Sequence, residues 1–128
     1  MGTRAEIEIP ETCVASPCNE CPWRKDSRPG HLGPHSAKQW IRMAHSDTAI
    51  ACHKTIQISE SWEGTQQCAG AAAFRANVAK RSRDPRVIQR PPRDDVFPDN
   101  ESFVEHHTRG KEHWEPSDMW DFEEGEIG

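Results

Sequence analysis

The sequence predicts a small, mainly α-helical, irregular domain that is stabilised by a bound metal and followed by an extended acidic C-terminal tail. Three observations lead to this fold class. Only 34% of the 128 residues are hydrophobic, which is too few for a large apolar core. Five cysteines, all between residues 13 and 68, could stabilise the fold instead. Lys and Arg outnumber Asp and Glu by 14 to 9 up to residue 93, whereas Asp and Glu dominate by 12 to 2 afterwards, so the chain has two segments of different character.

About two helices are predicted, both in the cysteine-rich part and connected by loops. Ser36 and Gln39 have the spacing of a capping box, and apolar residues then recur every three or four positions, which predicts a helix over 36–45. An alanine-rich stretch begins after the fifth cysteine and ends before Asp84, which precedes a proline. This stretch predicts a second helix over 69–82.

Three segments are expected along the chain. Residues 1–12 form an N-terminal segment, residues 13–84 a cysteine-rich metal-binding domain, and residues 85–128 a linker with an acidic, aromatic tail. Four prolines lie among charged residues between positions 84 and 101, which is typical of extended linkers. Low hydrophobicity with high net charge predicts that residues 85–128 are disordered on their own.

The composition and the motifs exclude several classes of function. No run of apolar residues approaches the roughly 18 that a membrane-spanning helix needs. The N-terminal residues lack the apolar stretch of a signal peptide, so we expect a cytoplasmic protein. No phosphate-binding glycine loop, nucleophile elbow or zinc-protease motif occurs, and a non-enzymatic role is favoured over an enzyme.

The cysteine spacing predicts one metal centre. A Cys-x2-Cys loop places two thiolates within reach of one metal, and two later cysteines would complete four ligands. The predicted ligands are Cys18, Cys21, Cys52 and Cys68. His53 and Cys13 are weaker candidates, and disulfides or inert thiols are the alternatives to a metal.

Two kinds of metal centre fit this spacing. Zinc ribbons usually have two Cys-x2-Cys pairs, whereas here one pair is followed by a proline and the later cysteines are isolated. Iron–sulfur sites accept one short pair with remote single cysteines. The sequence therefore slightly favours a 4Fe-4S cluster, with zinc as the alternative.

Three short stretches carry a resemblance to a known group of proteins. They read PCNECPWRKD at 17–26, ACH at 51–53 and CAG at 68–70. In this order they resemble the pattern of small cysteine-rich proteins from actinobacteria and their phages, over about half of the chain. The resemblance implies a shared metal-binding domain, and a phage context would place it in the host cytoplasm as a regulator of a host protein.

The acidic tail is predicted to bind a protein partner. Its apolar residues lie among carboxylates, which suits docking into a basic groove with an apolar floor. The predicted contacts are Trp114, Met119, Trp120 and Phe122. The partner could be part of the host transcription machinery.

Two other functions remain open on sequence grounds. The first is an iron–sulfur redox protein or enzyme. The second is a nucleic-acid-binding protein that uses the basic stretch 75–93, although solvated linkers often carry such charges. Its candidate contacts are Lys80, Arg81, Arg83, Arg86, Arg90 and Arg93.

Overall fold

The computed structural model describes residues 12–17, 21–33, 35–52 and 66–120. Within these residues the chain forms the helices α1 (Ala37–Ala44), α2 (Ala69–Asn77) and α3 (Asn100–His107) and a short 3-10 helix (Pro116–Met119). The pairing of extended chain in this part is limited to isolated bridges. The protein is a small, mainly α-helical domain, as predicted. No helix among these residues has the length and apolar character needed to cross a bilayer.

Helix α1 begins with the predicted capping box. The Ser36 hydroxyl accepts a hydrogen bond from the Gln39 amide at 3.1 Å, and the Gln39 side chain accepts one from the Ser36 amide at 2.8 Å. Both partners satisfy amides that the first helical turn leaves unpaired. The predicted bounds of 36–45 therefore differ from the observed helix only by its two capping residues.

Helix α2 is shorter than predicted, because it ends at Asn77 rather than at residue 82. Ala79 has a φ of 57°, in the left-handed region that stops a helix. The amide of Lys80 returns to the carbonyl of Arg75 at 2.8 Å. This local turn satisfies a terminal carbonyl, and it directs the basic residues that follow away from the helix axis.

A buried arginine connects α2 to the end of α1. The Arg75 guanidinium donates hydrogen bonds to the carbonyls of Ala44 at 2.7 Å and of Met43 at 3.2 Å, and also to the carbonyl of Thr48. Carbonyls at a helix C-terminus lack partners within the helix, and this cation supplies them. The contact fixes α2 against α1.

Trp23 is the centre of the core. It is only 1% exposed, and its ring lies 4.8 Å from Phe74 on α2 and 4.5 Å from Phe103 on α3 between ring centroids. Its ring also meets Trp40 of α1 edge to face, at 6.3 Å. Aromatic pairs at these distances contribute beyond the area that they bury. The residue two positions after Cys21 therefore connects all three helices.

Residues after position 84 differ from the extended tail that the sequence predicts. Val96, Phe97, Phe103 and Val104 are all buried, and α3 packs against α1. The average hydrophobicity of the segment hides these two apolar pairs, which complete the aromatic core around Trp23. The folded unit therefore continues well past the expected boundary.

Two histidines at the end of α3 hold the loop that follows Cys21. His107 accepts a hydrogen bond from the Gly30 amide through Nδ1 at 3.0 Å and donates one to the Pro22 carbonyl through Nε2 at 2.8 Å. His106 donates to the carbonyl of Ser27 at 2.7 Å. His107 must be neutral to make both of its contacts.

We expect this neutral histidine to make the fold sensitive to acid. Burial lowers the pKa of His107 to about 4, below the 6.5 of an exposed histidine. The unfolded chain therefore binds a proton first as the pH falls, and the stability is full above pH 6.5 and is lost progressively down to about pH 4. Urea unfolding of the wild type between pH 7 and pH 4 should show this loss. His107→Gln should have lower stability at pH 7 and a flatter dependence on pH; an equally steep dependence would contradict the assignment.

Candidate metal centre

The structure brings two of the predicted ligands into contact. The Sγ atoms of Cys21 and Cys68 lie 3.8 Å apart. Both residues are buried, with exposures of 1% and 7%. Two thiolates that share one tetrahedral zinc ion at about 2.3 Å are separated by roughly 3.8 Å, so this pair has the separation that a shared ion requires.

Gly70 makes the close approach of these two sulfurs possible. A Cβ atom built on Gly70 would lie 2.2 Å from the Sγ of Cys21 and 3.1 Å from the Cβ of Trp23. No side chain fits at such distances without displacing its neighbours. The glycine of the Cys-Ala-Gly stretch is therefore the seat of the Cys21 sulfur against the first turn of α2.

The environment of Cys68 favours its thiolate form. Cys68 is the N-cap of α2, and its Sγ accepts a hydrogen bond from the Ala71 amide at 3.4 Å. The pKa of Cys68 is lowered by the contact with Cys21 first, then by the amides of Ala71 and Gly70, and by the charge of Arg75, against the effect of burial. A metal ligand must be deprotonated, so this position suits one.

Cys52 lies on the chain segment beside Cys68. The Cys52 amide donates to the carbonyl of Gln66 at 2.7 Å, and the Cys68 amide donates to the carbonyl of Ile50 at 2.8 Å. Side chains alternate along extended chain, so Cys52 and Cys68 share one face of this pairing. Cys52 is buried, but no three thiols among the described residues have all their sulfurs within 4.8 Å of one another.

Cys13 lies across the bridge from this pair. It is bridged to Gln67, which is also bridged to Ala51, so the alternation of side chains places Cys13 on the face opposite Cys52 and Cys68. Burial raises the pKa of Cys13, the nearby Arg90 lowers it, and the nearby thiols of Cys68 and Cys52 raise it further. This position suits a neutral thiol better than a ligand.

The remaining candidate ligands, Cys18 and His53, lie outside the described residues. Cys18 precedes Cys21 by three positions, so the loop that contains it begins at the buried pair. The structure thus describes three of the four predicted ligands and places two of them in contact.

A second group of metal-binding residue types is present that the sequence interpretation missed. One ligand atom each from Glu101, Glu105 and His113 lie within 4.8 Å of one another. The spacing of four between the two glutamates on α3 was the available signal. The ion pair with Glu101 raises the pKa of His113, and His113 lowers the pKa of Glu101. This exposed group is explained as an ion pair, and we assign no metal to it.

The predicted nucleic-acid contacts are largely paired with aspartates or backbone. Arg83, Arg86 and Arg93 form ion pairs with neighbouring aspartates at 2.8 to 3.2 Å. Arg90 donates to the carbonyls of Cys13 and Val14, and Arg81 to a glutamine and a carbonyl. Lys80 is exposed. Carboxylates beside the cations weaken the field that a phosphate backbone would meet.

The predicted partner-binding residues have different environments. Trp114 and Met119 are half-buried, and Trp114 packs against the core. Trp120 is 79% exposed, at the end of the 3-10 helix. Phe122 lies outside the described residues.

The 3-10 helix that carries these residues is docked on α1. Lys38 forms an ion pair with Asp118 at 3.1 Å, and Arg42 donates to the carbonyl of Asp118 at 2.6 Å. The two cations belong to the same face of α1, one helical turn apart. Trp120 is therefore presented from a fixed support.

Comparison with known proteins gives one match. The model of a family of unknown function matches residues 13–115. This range begins at Cys13 and continues through α3, so it includes both sides of the boundary expected near residue 84. No curated protein and no solved structure matches the chain.

Proposed function

The chain belongs to DUF6283, a family of unknown function, and we propose that it is a non-enzymatic metal-binding interaction module. The proposed metal ligands are Cys18, Cys21, Cys52 and Cys68. The observation that carries the proposal is the buried pair of Cys21 and Cys68, whose sulfurs are 3.8 Å apart beside a glycine that leaves room for them.

The metal has a structural role in this proposal. The four cysteines come from the loop before Trp23, the segment after α1 and the start of α2, so one ion would connect three parts of the chain. Because only 34% of the residues are hydrophobic, such a connection supplies stability that the core lacks. Metal binding free energy then becomes folding free energy.

We propose zinc as the metal, in preference to the 4Fe-4S cluster that the sequence slightly favoured. Two thiolates on one ion are about 3.8 Å apart, which is the separation of Cys21 and Cys68. In a four-iron cluster each thiolate binds a different iron, which holds the sulfurs further apart. An iron–sulfur centre, and with it a redox role, remains the alternative outcome of the test.

A cysteine-to-serine series tests the metal centre. We expect the serine variants of Cys18, Cys21, Cys52 and Cys68 each to lose bound zinc and to unfold at lower temperature, because zinc-finger sites contribute about 10 kcal/mol or more. Cys13→Ser is the matched control and should keep both properties. Metal content by mass spectrometry, absorption spectra and thermal unfolding of anaerobically purified protein measure this.

Two results would contradict these assignments. Loss of metal in Cys13→Ser, with retention in Cys68→Ser, would show that the ligand set is wrong. A broad absorption band near ~400 nm that bleaches on reduction would identify an iron–sulfur centre instead of zinc.

The interaction surface that we propose is the acidic C-terminal part around Trp120. Exposed tryptophans are frequent anchors of protein interfaces, and nearby carboxylates steer a basic partner toward them. The resemblance to cysteine-rich proteins of actinobacteria and their phages suggests a host protein as the partner, such as transcription machinery, in the cytoplasm. Phe122 would be a second anchor.

Substitution of Trp120 tests this surface without disturbing the fold. Because Trp120 is 79% exposed, Trp120→Ala should leave the unfolding temperature unchanged. It should weaken partner capture about tenfold or more, whereas Lys80→Ala, which removes an exposed cation, should not. If Lys80→Ala weakens binding and Trp120→Ala does not, and if binding to DNA or RNA falls steeply with salt, the nucleic-acid alternative is supported instead.

A further inference from the structure

We propose that Cys21 and Cys68 are an oxidisable dithiol that hydrogen peroxide converts into a disulfide. The disulfide requires only the residues described here. Its consequence for the metal, release of the ion when two of its ligands are lost, rests on the proposed function. The pair would thus make metal retention depend on the redox state of the surroundings.

The geometry of the pair supports this assignment. The two sulfurs are already in contact at 3.8 Å, and a disulfide bond needs about 2.0 Å, so they must approach by roughly 1.8 Å. The Cys21 sulfur is confined on one side by the backbone of Gly70. The Cys68 sulfur lies at the first turn of α2, where the Ala71 amide supports a negative charge. No other pair of cysteines has a contact between sulfurs recorded in the described residues.

The chemistry proceeds in two balanced steps. The Cys68 thiolate attacks one oxygen of hydrogen peroxide, which breaks the O–O bond and gives a sulfenic acid and hydroxide. The Cys21 thiol then attacks the sulfenic sulfur, forms the S–S bond and releases water. In total, two thiols lose two electrons and two protons, and one peroxide is reduced to two waters.

The burial of the pair limits which oxidants can react. Cys68 is 7% exposed and Cys21 only 1%, so we assign the first attack to Cys68. Hydrogen peroxide is close to water in size, whereas a disulfide oxidant such as oxidised glutathione must bring a bulky group to the sulfur. We therefore expect peroxide to react at least tenfold faster than oxidised glutathione at equal concentration.

The test uses the full chain, both metal-free and loaded with zinc. Each form is treated with hydrogen peroxide, digested without reduction and mapped by mass spectrometry. We expect a disulfide-linked peptide that joins Cys21 to Cys68, with a mass about 2 Da below the sum of the two thiol peptides, because two hydrogens are lost. In the zinc-loaded form, a metal-binding dye should detect release of zinc in step with this peptide.

Matched variants distinguish this pair from the other cysteines. Cys13→Ser should still form the Cys21–Cys68 disulfide, and Cys68→Ser should not form any with Cys21 at the same rate. The mapping of the wild type needs no variant, so it decides the matter even if Cys68→Ser fails to fold. A Cys18–Cys21 disulfide as the main product, or no disulfide at all, would overturn the proposal.

The two proposals can fail separately. If the disulfide forms in a chain that binds no zinc, the metal centre is wrong and the dithiol is right. If zinc binds and only irreversible oxidation of single cysteines appears, the metal centre is right and the dithiol is wrong.

Discussion

Replacing Gly70 with alanine is expected to destabilise the protein by about 3 kcal/mol and to abolish metal binding. The new Cβ would lie 2.2 Å from the Cys21 sulfur and 3.1 Å from Trp23, so the sulfur or the helix must move. Elsewhere in a helix the same change would stabilise by about 1 kcal/mol, because alanine has the higher helix propensity. The sign of the effect is therefore diagnostic. Urea unfolding and zinc content measure it.

Ala76→Gly is the matched control for this prediction. It lies on the same helix, away from the buried sulfurs, and it exchanges the same two residue types in the opposite direction. It should cost about 1 kcal/mol through helix propensity and should keep its zinc. If Gly70→Ala keeps zinc and is as stable as the wild type, the proposed seat for the Cys21 sulfur does not exist.

Ending the chain at residue 84 is expected to unfold the cysteine-rich part. The truncation removes Val96, Phe97, Phe103 and Val104, all of which are buried. At about 2 kcal/mol for each buried side chain, their loss removes roughly 8 kcal/mol, which is comparable to the whole stability of a small domain. It also exposes Trp23, which stacks on Phe103. Near-ultraviolet circular dichroism and limited proteolysis should show the loss of fixed tertiary structure.

A chain that ends at Trp120 is the control for this truncation. It keeps α3 and the 3-10 helix, with their contacts to α1, so its unfolding midpoint should match that of the full chain. If instead the chain that ends at residue 84 resists proteolysis as well as this control does, then the boundary predicted from composition is correct.

Local signals in the sequence were sufficient for the start of α1. The capping box of Ser36 and Gln39 needs only residues three apart in the chain, and the structure contains both of its hydrogen bonds. The end of α2 was less predictable, because the left-handed conformation of Ala79 has no residue signal such as glycine. Capping is local chemistry, whereas the length of α2 depends on its surroundings.

The candidate site shows the same division. The spacing of Cys18 and Cys21 and the later Cys52 and Cys68 predicted which residues to examine. The sequence contained no signal for the pairing of Cys21 with Cys68, because the two are 47 positions apart and only packing brings them together. Gly70 was part of a motif, but its purpose is visible only from the sulfur that occupies the space where its side chain would be.

The sequence by itself determined the class of the protein: a small, mainly helical domain with few hydrophobic residues and a concentration of cysteines. These are sums and short-range patterns, which do not depend on how the chain folds back on itself. Only the tertiary structure decided where the domain ends, because burial of Phe97 and Phe103 depends on a partner, Trp23, some 75 residues earlier in the chain. An average over an acidic segment cannot detect two apolar pairs whose value comes from that distant contact.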